Sequence, residues 1–274
     1  MEYIYQLAGL QIACSLPFSN QINAESKEFL HPGSAEAELR FIAQAVDELP
    51  APTGIAIGCR YYDNETTWFC AGTDYPPYAM TQHSKEEIRC FYLRDQEERL
   101  HHSSHLCNLF GIERFLPLWD TLLLHCAFVQ LHGHAILFSG PSGIGKSTQG
   151  DLWQTHLSAE LCNGDRAAVR LHGGQWSAYG LPYAGSSRIY RNVKAPCRAI
   201  VVLGQATENH LRRLTPREAF TALYPEITLH HWEKSTVERV TALLSELVLQ
   251  IPVYRLDCLP AESAVQLLYQ EVFP

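Results

Sequence analysis

From Tyr3 to Ile12 and from Gly54 to Cys70, apolar and aromatic residues come in short runs broken by polar clusters such as Asp63-Asn64-Glu65. That pattern predicts strands joined by turns. Between these stretches Leu39, Ile42, Ala43 and Val46 recur at spacings of three and four, which predicts a helix over 34–46. Tyr75-Pro76-Pro77-Tyr78 reads as a loop, and the charged run from Lys85 to Arg99 as a solvated face. Near residue 120 the character changes. Leu122 to Leu131 is almost continuously apolar, and after His132-Gly133-His134 a second apolar run, Ala135 to Phe138, follows at once. Two buried strands joined by a tight glycine turn are expected there.

Beyond residue 146 the pattern predicts a helix to about His156, a strand over Ala167 to Leu171, a glycine-containing loop, and a strand at Ala199-Ile200-Val201-Val202-Leu203. Thr215-Pro216-Arg217-Glu218 is a capping box with proline at the first helical position, where its missing N–H is no loss. Ser235 is placed to cap a helix with Val237, Val240, Leu244, Leu247 and Val248 on its apolar face. Pro252 to Leu256 reads as extended, and Pro260 opens a last helix.

Length adds a domain count. At 274 residues the chain suits one large domain or two modest ones, and the change of pattern puts an α+β domain at 1–118, in a position to grip a substrate, before a second at 119–274. With 46% hydrophobic and 18% charged residues the chain is neither disordered nor low-complexity. Lysine and arginine total 21 against 29 acidic residues, a net charge of -8. This argues against nucleic acid or an anionic membrane as main partner, so any phosphate site must be local. The nine cysteines are odd in number and form no CxxC pair, which argues against a disulfide framework or a four-cysteine zinc site. The amino terminus lacks the basic region of a secretory signal, and no apolar run is long enough to span a bilayer. A soluble, reduced, cytoplasmic protein is expected.

Chemistry concentrates in Gly140-Pro141-Ser142-Gly143-Ile144-Gly145-Lys146-Ser147, which fits GxxxxGK[ST] between a predicted strand and a predicted helix. Glycines let backbone N–H groups approach phosphate oxygens, the helix N-terminus adds its dipole, and Lys146 adds a full charge. Ser147 is placed to ligate magnesium. The loop is expected to face solvent. Asp165, 19 residues beyond Lys146 in Asn163-Gly164-Asp165-Arg166, is either a metal ligand or base, or part of a surface turn. His125, inside an apolar strand, is either a core histidine or an active-site group at the loop end of the sheet. Arg188 and Arg191 lie in the loop 180–192, where a guanidinium either stabilises a transferring phosphoryl group or solvates the loop. His101 and His105 have an i, i+4 spacing but no Glu or Cys partner at the usual metal-site spacing.

The apolar strand with His125, the P-loop that follows it and the acidic turn so soon after together resemble the HPr kinase/phosphorylase and ATP-type phosphoenolpyruvate carboxykinase superfamily. The resemblance covers about residues 120 to 210. Its later part, Gly180-Leu181-Pro182 to Asn192 and then Ala199 to Leu203, is similar to HPr-kinase-related proteins found beside peptide-modification genes. It implies an α/β (α+β) fold, a P-loop core of the HPr kinase type preceded by a smaller mixed N-terminal domain, with ATP and Mg2+ as cofactors. Gly140, Ser142, Gly143, Ile144, Gly145, Lys146, Ser147 and Thr148 would hold the nucleotide, and Ser147 and Asp165 the metal. Asp165, His125, Lys146 and Arg188 are the catalytic candidates, the proton acceptor being Asp165 or His125. HPr kinases have two adjacent aspartates where this chain has Gly164-Asp165, and the loop signature of the phosphorolytic reaction is absent. A kinase acting on a Ser or Thr hydroxyl of a peptide or small protein is therefore expected. The alternatives are a kinase for a small-molecule, amino-acid-type hydroxyl and a nucleotide-binding adaptor without catalysis. The resemblance leaves a homo-oligomer open.

Overall fold

The computed structural model describes residues 2–18, 27–33, 36–63, 65–84, 86–183, 188–231 and 233–274. Ser34, Asn64, Lys85 and the 184–187 part of the loop before Arg188 lie outside the described residues. By its contacts the chain forms two compact units, Met1–Ile112 and Glu113–Pro274. The change of sequence character near residue 120 falls inside the second. Both are built on large mixed sheets with helices, a mixed α+β architecture.

Among the described residues the first unit carries a nine-stranded sheet. Its strands are β1 (Glu2–Leu7), β2 (Leu10–Ser15), β3 (Leu30–Pro32), β4 (Leu39–Val46), β5 (Ile55–Ile57), β6 (Arg60–Asp63), β7 (Thr66–Cys70), β8 (Pro77–His83) and β9 (Glu87–Leu93), in the order β3-β1-β2-β4-β9-β8-β7-β6-β5. The expected helix over 34–46 is instead strand β4, paired in parallel with β2 on one side and β9 on the other. Burial along β4 alternates only from Leu39 to Phe41 and is mostly intermediate beyond, so its apolar positions fell by chance at helical spacing. The run from Lys85 to Arg99 is no simple solvated face either. Ile88, Cys90 and Tyr92 point into the core from β9, and a 3-10 helix, Arg94–His101, follows. Helix α1 (Ser103–Phe110) sets the Phe110 ring edge-on to Tyr5 and Phe41, with centroids 5.1 and 4.6 Å away.

The second unit begins at Glu113, within α2 (Ile112–Phe115), and continues through β10 (Thr121–Leu131), β11 (His134–Ser139), α3 (Lys146–Leu157), β12 (Glu160–Asn163), β13 (Arg166–His172), β14 (Gln175–Gly180) and β15 (Lys194–Gln205). It ends with β16 (His210–Arg213), α4 (Pro216–Leu223), α5 (Lys234–Gln250), β17 (Val253–Cys258) and α6 (Glu262–Val272). β10 and β11 form the expected hairpin. His132 and Gly133 both have positive φ, 50° and 76°, the conformation that matches the twist of a two-residue hairpin turn. α4 starts on the expected capping box, whereas α5 starts at Lys234 after Glu233, so Ser235 lies in its first turn and does not cap it.

β11, β15 and β17 run parallel side by side. Alternate residues of these strands face opposite layers. Ile136, Phe138, Val201 and Leu203 pack with Trp153 of α3 and Val265 and Leu268 of α6. Leu137, Ile200 and Val202 pack with Leu223 of α4 and Leu244 and Leu247 of α5. Two strands are long enough to serve two neighbours in succession. β10 pairs with β13 over Thr121 to His125 and with β11 over Cys126 to Leu131, and β15 likewise passes from β14 to β11 and β17.

Candidate functional site

The site forms where β10 changes partner. His125 is the last β10 residue opposite β13, and Cys126 is the first opposite β11, where it faces Ser139. Ser139 ends β11, and the glycine-rich loop begins at the next residue. Two polar contacts fix this junction. The Ser139 hydroxyl donates to the His125 carbonyl at 2.9 Å, and the Cys126 N–H donates to the Asp165 carbonyl at 3.1 Å. One peptide step in β10 thus fastens the loop on one side and the acidic turn on the other. Three of the residues singled out from sequence, His125, Lys146 and Asp165, come together here.

The loop runs from the β11 C-terminus to the α3 N-terminus. Gly140 and Gly145 have φ of 139° and 114°, values that side chains with a Cβ rarely adopt. Gly145 is the N-cap of α3, and the first-turn N–H groups of a helix have no intrahelical acceptor. Lys146 is buried, at 7% exposure, and is not the solvent-facing residue expected. Its Nζ turns back on the loop, donating to the carbonyls of Gly140 at 2.7 Å and Pro141 at 3.1 Å. Burial pulls the ammonium's pKa below its usual value, against the opposing pull of the Glu226 and Asp165 carboxylates. Ser142 and Thr148 are exposed, and Ser147 is half-buried in the first turn of α3.

The acidic turn is organised by Asn163. Its Oδ1 accepts from the N–H groups of Asp165 and Arg166, at 2.9 and 3.0 Å, and its Nδ2 donates to the Leu181 carbonyl at 2.6 Å. Both functions of this fully buried amide are therefore used in shaping the turn. The Asp165 carboxylate is 27% exposed, with Arg166 at 3.8 Å.

A fourth group was not visible in the sequence. Glu226, at the end of a 3-10 turn after α4, accepts from His125 Nδ1 at 2.9 Å and is only 10% exposed. Its backbone is anchored to the same strand, because Ile227 bridges Leu124 and the Thr228 N–H donates to the Leu123 carbonyl at 2.9 Å. Tyr224-Pro225-Glu226 has no motif character, and only the return of this segment to β10 reveals it. Arg188, in contrast, is exposed, has φ of 54° and forms no ion pair among the described residues. Arg191 pairs with Glu160 at 3.7 Å on the surface. His101 and His105 join no metal-ligand cluster among the described residues.

On the other flank of the loop lies a cavity of about 420 Å³, lined by Gly143 to Gly145, Thr148 and Gln149, the β15 end from Leu203 to Ala206, Cys258 and Pro260. Gln149 is buried and donates to Cys258 Sγ at 3.4 Å, while its Oε1 has no hydrogen-bond partner among the described residues. The arrangement fits a nucleotide. The glycine backbone and Lys146 suit its phosphates, Lys146 now resting on carbonyls that phosphate oxygens could replace, and the cavity has the volume of a small-ligand site. Ser147 and Asp165 offer the hydroxyl and carboxylate oxygens that magnesium prefers, and magnesium bound beside phosphates needs few protein ligands.

Apart from Cys258 in the cavity wall, no cysteine lines this cavity, and none joins a metal-ligand cluster among the described residues. Cys59 is exposed and the other eight are buried. Burial pushes the Cys162 and Cys197 thiols up to about 12, far from a reactive thiolate. No helix among the described residues is long and apolar enough to cross a membrane.

No protein-family model matches the chain, and no curated protein matches its sequence. Among solved structures, the HPr(Ser) kinase/phosphatase from Coxiella burnetii is similar over 54% of this chain and 94% of its own length, with a TM-score of 0.32 and 11% identity. A likeness at that level assigns no residue and no activity to this chain.

Proposed function

We propose that the second unit binds MgATP and transfers its γ-phosphoryl group to a hydroxyl, on a Ser or Thr of a peptide or small protein. The observation that carries this reading is the junction at His125 and Cys126, which fastens a lysine-bearing glycine loop and an aspartate turn to one point of one strand. Phosphoryl transfer asks little covalent chemistry of a protein and much positioning and charge stabilisation, and these are the functions the junction supplies. Lys146 and the N–H groups of 143–148 hold phosphate oxygens. Ser147 and Asp165 hold magnesium, which when bound neutralises charge on the phosphates. The cavity beside the loop takes the nucleoside and keeps water from it. Asp165 or His125 takes the acceptor proton.

Titration calorimetry with a non-hydrolysable ATP analogue tests the reading. Binding should require magnesium in the wild type and weaken at least about tenfold in Asp165→Ala, the loss expected when a charged metal ligand goes. Binding indifferent to both magnesium and Asp165 would show a nucleotide sensor and end the kinase assignment.

A further inference from the structure

We infer that His125 is the proton acceptor of the reaction and that Glu226 is its positioning residue, so that the second carboxylate of this site comes from the far side of β10. The inference rests on the kinase reading and deepens it.

Three observations lead to it. Glu226 is nearly buried, and its Oε2 lies 2.9 Å from His125 Nδ1. An ionised carboxylate accepts and does not donate, so the neutral imidazole must carry its proton on Nδ1. That leaves Nε2 as the basic nitrogen, and Nε2 has no hydrogen-bond partner among the described residues, on a ring that is 27% exposed. Second, the pair is built rigidly. Both residues stand on β10 or are tied to it, His125 through its pairing with Arg166, Glu226 through Ile227 and Thr228 against Leu124 and Leu123. Third, the His125 carbonyl accepts from the hydroxyl of Ser139, the last residue before the glycine loop, which puts the dyad beside the phosphate-binding loop. A base oriented by a third group, with the reacting atoms near by, is the general form of an activated hydroxyl.

The step balances without a further reagent. The acceptor O–H bond breaks and its proton passes to His125 Nε2. A bond forms between the acceptor oxygen and the γ-phosphorus as the bond to the β,γ-bridging oxygen breaks, its electron pair leaving with ADP. The imidazolium, stabilised by Glu226, then returns its proton to solvent. Asp165 is left to the metal alone, which removes the need for one carboxylate to serve two roles.

The test uses the full chain with histidine labelled by ¹⁵N, His125 being assigned by its loss in His125→Gln. At about pH 9, where an ordinary histidine is neutral, long-range ¹⁵N–¹H spectra should show His125 as the single Nδ1–H tautomer. Glu226→Ala, or Glu226→Leu if the smaller residue does not fold, should give a tautomer mixture. kcat for MgATP consumption should fall about 10- to 100-fold, part of the range general-base catalysis contributes, and by more than the affinity for a magnesium-bound ATP analogue falls. A wild-type His125 in the Nε2–H form, or an unchanged kcat in the Glu226 variant, would overturn the inference. If the tautomer is as expected but the wild type does not bind the nucleotide, the kinase reading fails and the proton-acceptor role fails with it, leaving a structural dyad.

Discussion

The two flanks of the glycine loop are built on opposite principles. On one, Lys146, Asp165, His125 and Glu226 are gathered from distant parts of the chain, and every charge there is paired or shielded. On the other, strand ends and Gln149 line a cavity of about 420 Å³ in which most of the surface is hydrocarbon or backbone. Partly desolvated charges act strongly on one another and must be satisfied, whereas an apolar recess contributes by excluding water. The difference teaches that the first flank should govern chemistry and the second affinity for the nucleoside, and that substitutions should separate the two.

The largest effect should come from the polar flank. Lys146→Met removes the only charge that the loop itself carries, and both phosphate affinity and turnover should fall at least about 100-fold, as when a preorganised charge is taken from a phosphoryl-transfer site. The melting temperature should move by no more than about 4 °C, since a hydrogen bond is worth on the order of 1 kcal/mol net. Calorimetry and differential scanning fluorimetry together check both parts. On the cavity flank, Ala206→Phe should fill part of the recess and weaken an ATP analogue about tenfold, the order of effect of one misfit in an apolar pocket. Inorganic tripolyphosphate, which has no nucleoside, should bind Ala206→Phe and wild type alike. Equal losses for both ligands would collapse the distinction between the flanks.

The same contrast explains what the sequence disclosed. The loop, its strand and its helix share one continuous segment, so the motif and its context were legible together, and the hairpin 121–139 and the capping box at Thr215 were equally local. Asp165 was legible as a candidate because it is an acidic residue only 19 positions beyond Lys146. Glu226 was not, because its meeting with His125 spans 101 residues and depends on the segment after α4 returning to β10. The cavity was invisible for a similar reason, being made from the ends of β15 and β17, which are neighbours only in the sheet. The error at residues 34–46 has a different origin. β4 alternates between buried and exposed only from Leu39 to Phe41, and its mostly half-buried remainder let helical spacing occur without a helix.

A smaller effect tests how the polar flank is held. The segment that carries Glu226 is followed by His230, which is buried with Glu113 Oε1 at 3.3 Å and Glu233 Oε2 at 3.8 Å, the second a charge contact and not a hydrogen bond. Burial alone would lower the His230 pKa, but the two glutamates outweigh it and the net shift is upward. A histidine with a raised folded-state pKa stabilises fully below its unfolded value of about 6.5, and the stabilisation is lost as pH rises through the folded value. The melting temperature of the wild type should therefore exceed that of His230→Gln by most at about pH 6 and by progressively less on the way to about pH 9. A difference that grows with pH would show that His230 is held neutral, and the anchor would then be a hydrogen bond without charge.

The smallest expected effect lies one element earlier. Thr215 caps α4, its hydroxyl accepting from the Glu218 N–H while the Glu218 carboxylate accepts from the Thr215 N–H at 2.9 Å. α4 leads into the 3-10 turn that presents Glu226, so the cap lies at the base of the polar flank without touching it. Thr215→Ala should cost about 1 kcal/mol, the usual value of an N-cap, which is about 2–4 °C in a unit of this size. If the anchoring of Ile227 and Thr228 to β10 is what holds Glu226, the His125 tautomer should be unchanged in Thr215→Ala despite the lower melting temperature. A shifted tautomer would place control of the dyad in the helix, and the strand contacts would then be the weaker of the two supports.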